Sequence, residues 1–172
     1  MKTETSSISL LSDSVANNLN FISSCLNSET RLCAVVKGNA YGHGIEEFAS
    51  VLLKQGVNCF AVYSADEAYR LKQILPQQAC VIIMGDTGID SLEWCISNEV
   101  EFFAFDFERL NEATRLARKA GKKARVHLEL ETGMYRTGFE NSELNALSGF
   151  LHVRSKEIHV SGICTHFAGA EL

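Results

Sequence analysis

Residues 59–75 read CFAVYSADEAYRLKQIL, an apolar run that passes through a serine into a segment of helical period. The run Cys59–Tyr63 is predicted as a strand and the remainder as a helix. Working outward, the same β-then-α unit recurs. Further strand runs fall at Leu32–Val36, Cys80–Met84, Glu101–Phe105, Ala124–Leu130 and Ile158–Cys164. Helical patterns fall at IEEFASVLLKQG (45–56) and FERLNEATRLARKAGKK (107–123), after a first helix expected over Ser14–Leu26. Alternation with connections long enough for one helix predicts parallel strands and right-handed crossovers. An open doubly wound sheet and a closed (β/α) barrel both meet that description, and both collect ligands at the C-terminal ends of their strands. Lys37, Ser64 with Asp66, Gly85 with Asp86, Asp106, the stretch from Glu131, and Thr165 with His166 all lie at such ends. A complete barrel needs about 250 residues, so 172 residues and six strands predict an open sheet or part of a larger barrel.

Composition narrows the classes of function. The chain is 46% hydrophobic and 22% charged with net charge −5, and it has no run of Lys or Arg. This is soluble globular composition, and it argues against nucleic acid or an anionic membrane as partner. The polar start MKTETSSISLLSDS has no apolar core, and no apolar stretch approaches the roughly 18 residues of a membrane span. A cytoplasmic protein is expected. The cysteines Cys25, Cys33, Cys59, Cys80, Cys95 and Cys164 show no CxxC pairing, so buried reduced thiols are expected in place of disulfides or a metal site. The single proline, Pro76, and the absence of a low-complexity linker leave no internal domain boundary.

The chemistry concentrates in AVVKGNAYGHG, residues 34–44. An apolar strand that ends on Lys37 presents an amine whose desolvation can make it a nucleophile toward a carbonyl. Gly38, Gly42 and Gly44 permit unusual backbone angles, while Tyr41 and His43 bring donors. No Lys-Ser/Thr follows the glycines, so this is not a Walker loop. A snorkelling surface lysine followed by a turn is the competing reading.

The stretch resembles the pyridoxal-phosphate lysine motif of alanine racemases, with Gly38 where the family more usually has alanine. HLELETGMYRTGF from His127 is similar to the family's arginine-bearing strand and loop, and GICTHFAGAE from Gly162 to its later Thr-His strand. The resemblance implies a fold-type III, TIM-type (β/α) barrel with about six of eight strands present and the C-terminal β domain absent. On this reading residues 1–172 are the N-terminal part of the cofactor-binding barrel domain. It further implies interconversion of L- and D-alanine for peptidoglycan, with pyridoxal 5′-phosphate as cofactor and a homodimer as the complete enzyme.

Residue by residue, Lys37 would hold the cofactor through its amine and act as base toward the Cα–H of D-alanine. Tyr41 would contact the phosphate region. Arg136 would bind the substrate carboxylate and the cofactor's phenolic oxygen, and His166 would lie beside the ring. Some family members carry a carbamylated lysine where this chain has Glu129, so Glu129 is expected to supply that negative charge directly. Period-two alternation sets it on one strand face with His127 and Glu131. Racemisation needs a second acid/base group on the opposite face of the substrate. The four tyrosines, Tyr41, Tyr63, Tyr69 and Tyr135, do not match the family's second base, so activity of this chain alone is not expected. Open alternatives are a broader amino-acid racemase, a non-catalytic pyridoxal-phosphate-binding module, and an unrelated open-sheet phosphate-binding domain. An incomplete barrel is also expected to self-associate through exposed strand edges.

Overall fold

The structure, a computed structural model, describes residues 6–169 and divides into two compact units, Met1–Val81 and Ile82–Leu172. Residues 170–172, where the sequence carries no helix cap, lie outside the described residues.

In the first unit α1 (Ser12–Ser24) precedes β1 (Ala34–Val35), the five-residue turn α2 (Lys37–Tyr41), α3 (Ile45–Lys54), β2 (Cys59–Val62) and α4 (Ala65–Ile74). Strand β3 (Cys80–Ile83) begins in this unit, where the Cys80 N–H donates to the Asn58 carbonyl at 2.9 Å. β1 and β2 are parallel, with Ala34 opposite Phe60 and Val35 opposite Ala61. Every residue of β2 is buried, as expected for a parallel strand covered on both faces. That is why its sequence is a continuous apolar run. Helix α3 turns Ile45, Ala49 and Leu52 inward, and α4 does the same with Ala68 and Leu71, the stripe that 3.6-residue periodicity produces.

The second unit continues β3 and adds α5 (Ile89–Ser97), β4 (Glu101–Ala104), α6 (Phe107–Ala120), β5 (Ala124–Glu129), a 3₁₀ turn (Asn141–Glu143), α7 (Leu144–Val153) and β6 (Ile158–Cys164). β3, β4, β5 and β6 pair in parallel in that order. Helix α6 starts at Asp106, whose carboxylate accepts the Arg109 N–H at 2.7 Å, and stops at Gly121 in the left-handed region at φ 63°. Such ends fix the helix length. Its buried face of Leu110, Ala113, Leu116 and Ala117 belongs to a core with Phe102, Val126, Leu128 and Phe139. A bulge shifts the β5–β6 register after Val126 and sets Gly162 opposite His127.

The expected parallel α/β architecture and all six strands are present. Among the described residues β1 has one ladder partner, β2, and β6 has one, β5. No helix among the described residues is long and apolar enough to cross a membrane. The expectation of buried thiols holds for Cys59 and Cys95, but Cys25 is exposed and Cys33, Cys80 and Cys164 are half-buried. Cys25 follows α1, a helix with no buried residue, so nothing there covers it. All six are free thiols.

Candidate active site

The first unit carries Lys37 and Tyr41. β1 runs into the fully buried Val36, whose N–H donates to the Ala61 carbonyl at 2.8 Å, so the strand direction is fixed up to the lysine. The chain then reverses its hand: Gly38, Asn39, Ala40 and Tyr41 all have φ between 53° and 61°. A left-handed turn costs an ordinary residue about 1–2 kcal/mol, and three residues here lack the freedom of glycine. A Cβ at Gly38 would meet nothing within 4 Å. Glycine is therefore favoured there by backbone angle and not by space, and Asn39, Ala40 and Tyr41 hold the same hand without it.

Contacts from α3 and α4 hold the turn. Glu67, 8% exposed, accepts the Asn39 N–H at 3.2 Å and the Tyr63 N–H at 3.0 Å. The Asn39 side-chain oxygen accepts the Ile45 N–H at 3.2 Å and an Arg70 N–H at 2.9 Å. Arg70 pairs with both oxygens of Glu46 at 2.6 Å, which holds the Glu46 carboxyl below its ordinary value. A cavity of about 370 Å³ is lined by Lys37, Gly38, Tyr41, Tyr63, Ser64 and Glu67, within the size range of small-ligand sites. Among the described residues no hydrogen bond or ion pair engages the half-buried Lys37 side chain. Its amine is thus available to a ligand in that cavity. Tyr41 is exposed.

The second unit carries Glu129, Arg136 and His166. Glu129, 2% exposed, accepts the Thr137 hydroxyl at 2.9 Å and lies 3.5 Å from the half-exposed Arg136 guanidinium. The loop between them is closed by two backbone bonds, Phe139 N–H to the Glu129 carbonyl at 2.8 Å and Glu131 N–H to the Phe139 carbonyl at 3.0 Å. β5 ends at Glu129, which corrects the expectation that Glu131 shares its strand face. The Glu131 carboxylate turns into the loop instead and accepts the Gly133 and Arg136 N–H groups. Those backbone donors, Gly133 foremost, pull its pKa below the ordinary carboxylate value. Gly138 is required sterically as well as by its φ of 124°, because a Cβ would lie 2.7 Å from the Glu131 nitrogen. The Thr132 and Thr165 hydroxyls meet at 2.6 Å, and Thr165 donates to the Leu130 carbonyl at 2.9 Å, so the loops after β5 and β6 are joined. His166 is exposed in the segment that follows β6.

A comparison with protein families matches residues 11–172 to the family described as "Alanine racemase, N-terminal domain". The chain belongs to that family. An alanine racemase of Clostridium perfringens is 39% identical over 160 residues, 92% of this chain and 41% of the relative. The solved alanine racemase of Clostridium difficile 630 superposes with TM-score 0.82 at 31% identity, over 92% of this chain and 41% of that one. The alanine racemase of Bacillus anthracis solved with bound L-Ala-P gives TM-score 0.80 at 30% identity, over 91% and 40%. The chain thus spans about two fifths of the length of the alanine racemases it matches.

Two groups of residues escaped the sequence reading. Glu67 and Arg70 look like the polar face of α4. Arg109, 7% exposed, looks like the polar face of α6, yet it donates to Asp86 at 2.5 Å, Thr87 at 2.8 Å and the Gly85 carbonyl at 3.2 Å. It lines a second, larger cavity of about 760 Å³ with Asp86, Thr87, Phe105 and Asp106. None of Lys37, Tyr41, Glu129, Arg136 and His166 lines that cavity, and its arginine is occupied in holding the loop after β3. The smaller cavity at Lys37 is the better candidate for chemistry.

Proposed function

We propose that this chain supplies the lysine side of an alanine racemase active site, with pyridoxal 5′-phosphate as cofactor. The observation that carries the reading is the Lys37 amine, unpaired among the described residues, at a strand end within a ligand-sized cavity, in a chain of the alanine racemase N-terminal domain family. The residues present fit the cofactor: a free amine for its aldehyde, and Tyr41, Tyr63 and Ser64 as hydroxyl donors on the same cavity. When bound, the cofactor supplies the electron-withdrawing ring that acidifies the Cα–H of an amino acid.

The chain's own side chains then divide the work. Lys37 holds the cofactor and moves a proton to and from its Nζ on one face of the substrate Cα. Arg136 offers a planar fork of donors to a substrate carboxylate, and Glu129 beneath it supplies the fixed negative charge that orients the guanidinium. Tyr41 serves the phosphate and His166 the cofactor ring. The family match supports alanine as substrate; the same reading extends to D-alanine for peptidoglycan as product, a cytoplasmic setting and a homodimer as the complete protein, which the resemblance implies. The test is proton exchange in deuterium oxide with pyridoxal 5′-phosphate present. Deuterium incorporation at the Cα of D-alanine, abolished in Lys37→Ala, is expected; equal incorporation by Lys37→Ala and the unsubstituted chain would contradict the assignment.

A further inference from the structure

Carboxylates are seldom buried unless their oxygens are occupied, and in Glu67 both oxygens are taken by backbone N–H groups. One amide, Asn39, belongs to the left-handed turn that follows Lys37; the other, Tyr63, belongs to the first residue after β2. Three residues along α4, Arg70 grips the same asparagine by its side-chain oxygen and is itself anchored to Glu46. Asn39 is therefore held at its amide and at its side chain while its backbone sits at φ 55°. Strained backbone of this kind persists where its surroundings over-determine it. With Val36 fixed by its bond to Ala61, the direction in which the Lys37 side chain leaves the backbone depends on the turn that comes next.

We propose that Glu67 is a positioning residue for Lys37. By accepting the Asn39 amide it keeps residues 38–41 in their left-handed turn and so determines where the Lys37 amine is presented to the cavity. The proposal rests on the reading of Lys37 as the cofactor-binding lysine. In Glu67→Gln one oxygen becomes an NH₂ donor, and one of the two backbone amides then faces a donor in place of an acceptor.

The experiment incubates the chain with pyridoxal 5′-phosphate, reduces it with borohydride, and compares the pyridoxyl adduct at Lys37 with that at exposed Lys54 of the same unit. Loss of one such hydrogen bond predicts a fall of about tenfold in the Lys37-to-Lys54 ratio for Glu67→Gln, with amide exchange across residues 38–44 faster by a similar factor. Ala40→Gly lowers the cost of the left-handed turn while leaving every hydrogen bond of Asn39 in place. Adding it to Glu67→Gln should therefore restore part of the ratio, a rescue that a purely structural Glu67 would not show. Glu67→Asp, one methylene shorter, carries the same expected fall should Glu67→Gln not fold. A ratio in a folded Glu67 variant within about twofold of the unsubstituted chain would overturn the proposal while leaving Lys37 as the cofactor lysine. An unsubstituted chain with no preference for Lys37 over Lys54 would remove the underlying reading, and the proposal with it.

Discussion

Replacing Arg109 by methionine separates packing from polar support in the second unit. The methionine keeps an unbranched apolar stem near Phe102 and Phe105, whose ring centroids lie 5.4 Å and 5.1 Å from the guanidinium carbon. Three bonds disappear, but they are unequal. Asp86 has a side chain 79% exposed and returns to water at little cost. The Gly85 carbonyl and the Thr87 hydroxyl are buried and lose a charged donor at 3.2 Å and 2.8 Å. Each stranded group costs about 1–3 kcal/mol. Against this, burial drags the guanidinium pKa down although Asp86 opposes it, so removing the arginine relieves a desolvation penalty. The net expectation is a loss of about 2–3 kcal/mol, within the range of buried polar network mutations. Urea unfolding followed by Trp94, the single tryptophan, on α5 beside this loop, reads that unit directly. A shift smaller than about 0.5 kcal/mol, the range of an ordinary surface substitution, would refute the view that Arg109 organises the loop after β3.

A Cβ on Gly162 would sit 2.9 Å from His127 Nδ1, and the ring is pinned by Glu101 at 2.6 Å, so Gly162→Ala is expected to cost about 1–3 kcal/mol. Adding His127→Ala should recover part of that loss in a double-mutant cycle of thermal unfolding. Alkaline pH should also destabilise the fold. Burial pushes Cys95 and Cys164 up to about 12, and hydrogen bonding to Cys33 pushes Cys59 up to about 11. The unfolded chain therefore releases these protons first, and stability falls as pH rises above about 8.5, by at most about 1.4 kcal/mol per pH unit for each thiol. Cys95→Val should flatten the slope measured by denaturant titration at successive pH values. Glu129→Gln removes the buried charge 3.5 Å from Arg136 and is expected to weaken binding of alanine to the cofactor-loaded protein by about tenfold, the worth of one charge-assisted contact; unchanged alanine affinity by calorimetry would count against Glu129 as the orienting carboxylate.

Strands were legible because parallel strands covered on both faces leave unbroken apolar runs such as CFAV in β2. Their ends were less so. β1 was expected over five residues and pairs over Ala34–Val35, since its ladder extends to one side among the described residues. Lys37, Arg136 and Glu129 stand out through the resemblance of AVVKGNAYGHG and HLELETGMYRTGF to alanine racemase motifs, and residue type and spacing alone do not single them out. Glu67, Arg70 and Arg109 could not, because their helices show the ordinary polar spacing of a solvated face. The Glu67 carboxylate is taken up by a pair of amides 28 and four residues away in sequence; the Ser64-x-x-Glu67 spacing at the start of α4 hints at the near one, but no local pattern reports the Asn39 amide. The glycines after Lys37 announced an unusual turn, but nothing in Asn39, Ala40 and Tyr41 announced that they too would be left-handed.

Borohydride reduction after incubation with pyridoxal 5′-phosphate, followed by peptide mapping, decides whether Lys37 is the chain's cofactor lysine. A pyridoxyl adduct concentrated on Lys37 and lost in Lys37→Ala is predicted. An adduct spread evenly over exposed lysines such as Lys54 and Lys122, with Lys37 unmodified in the folded chain, would contradict it.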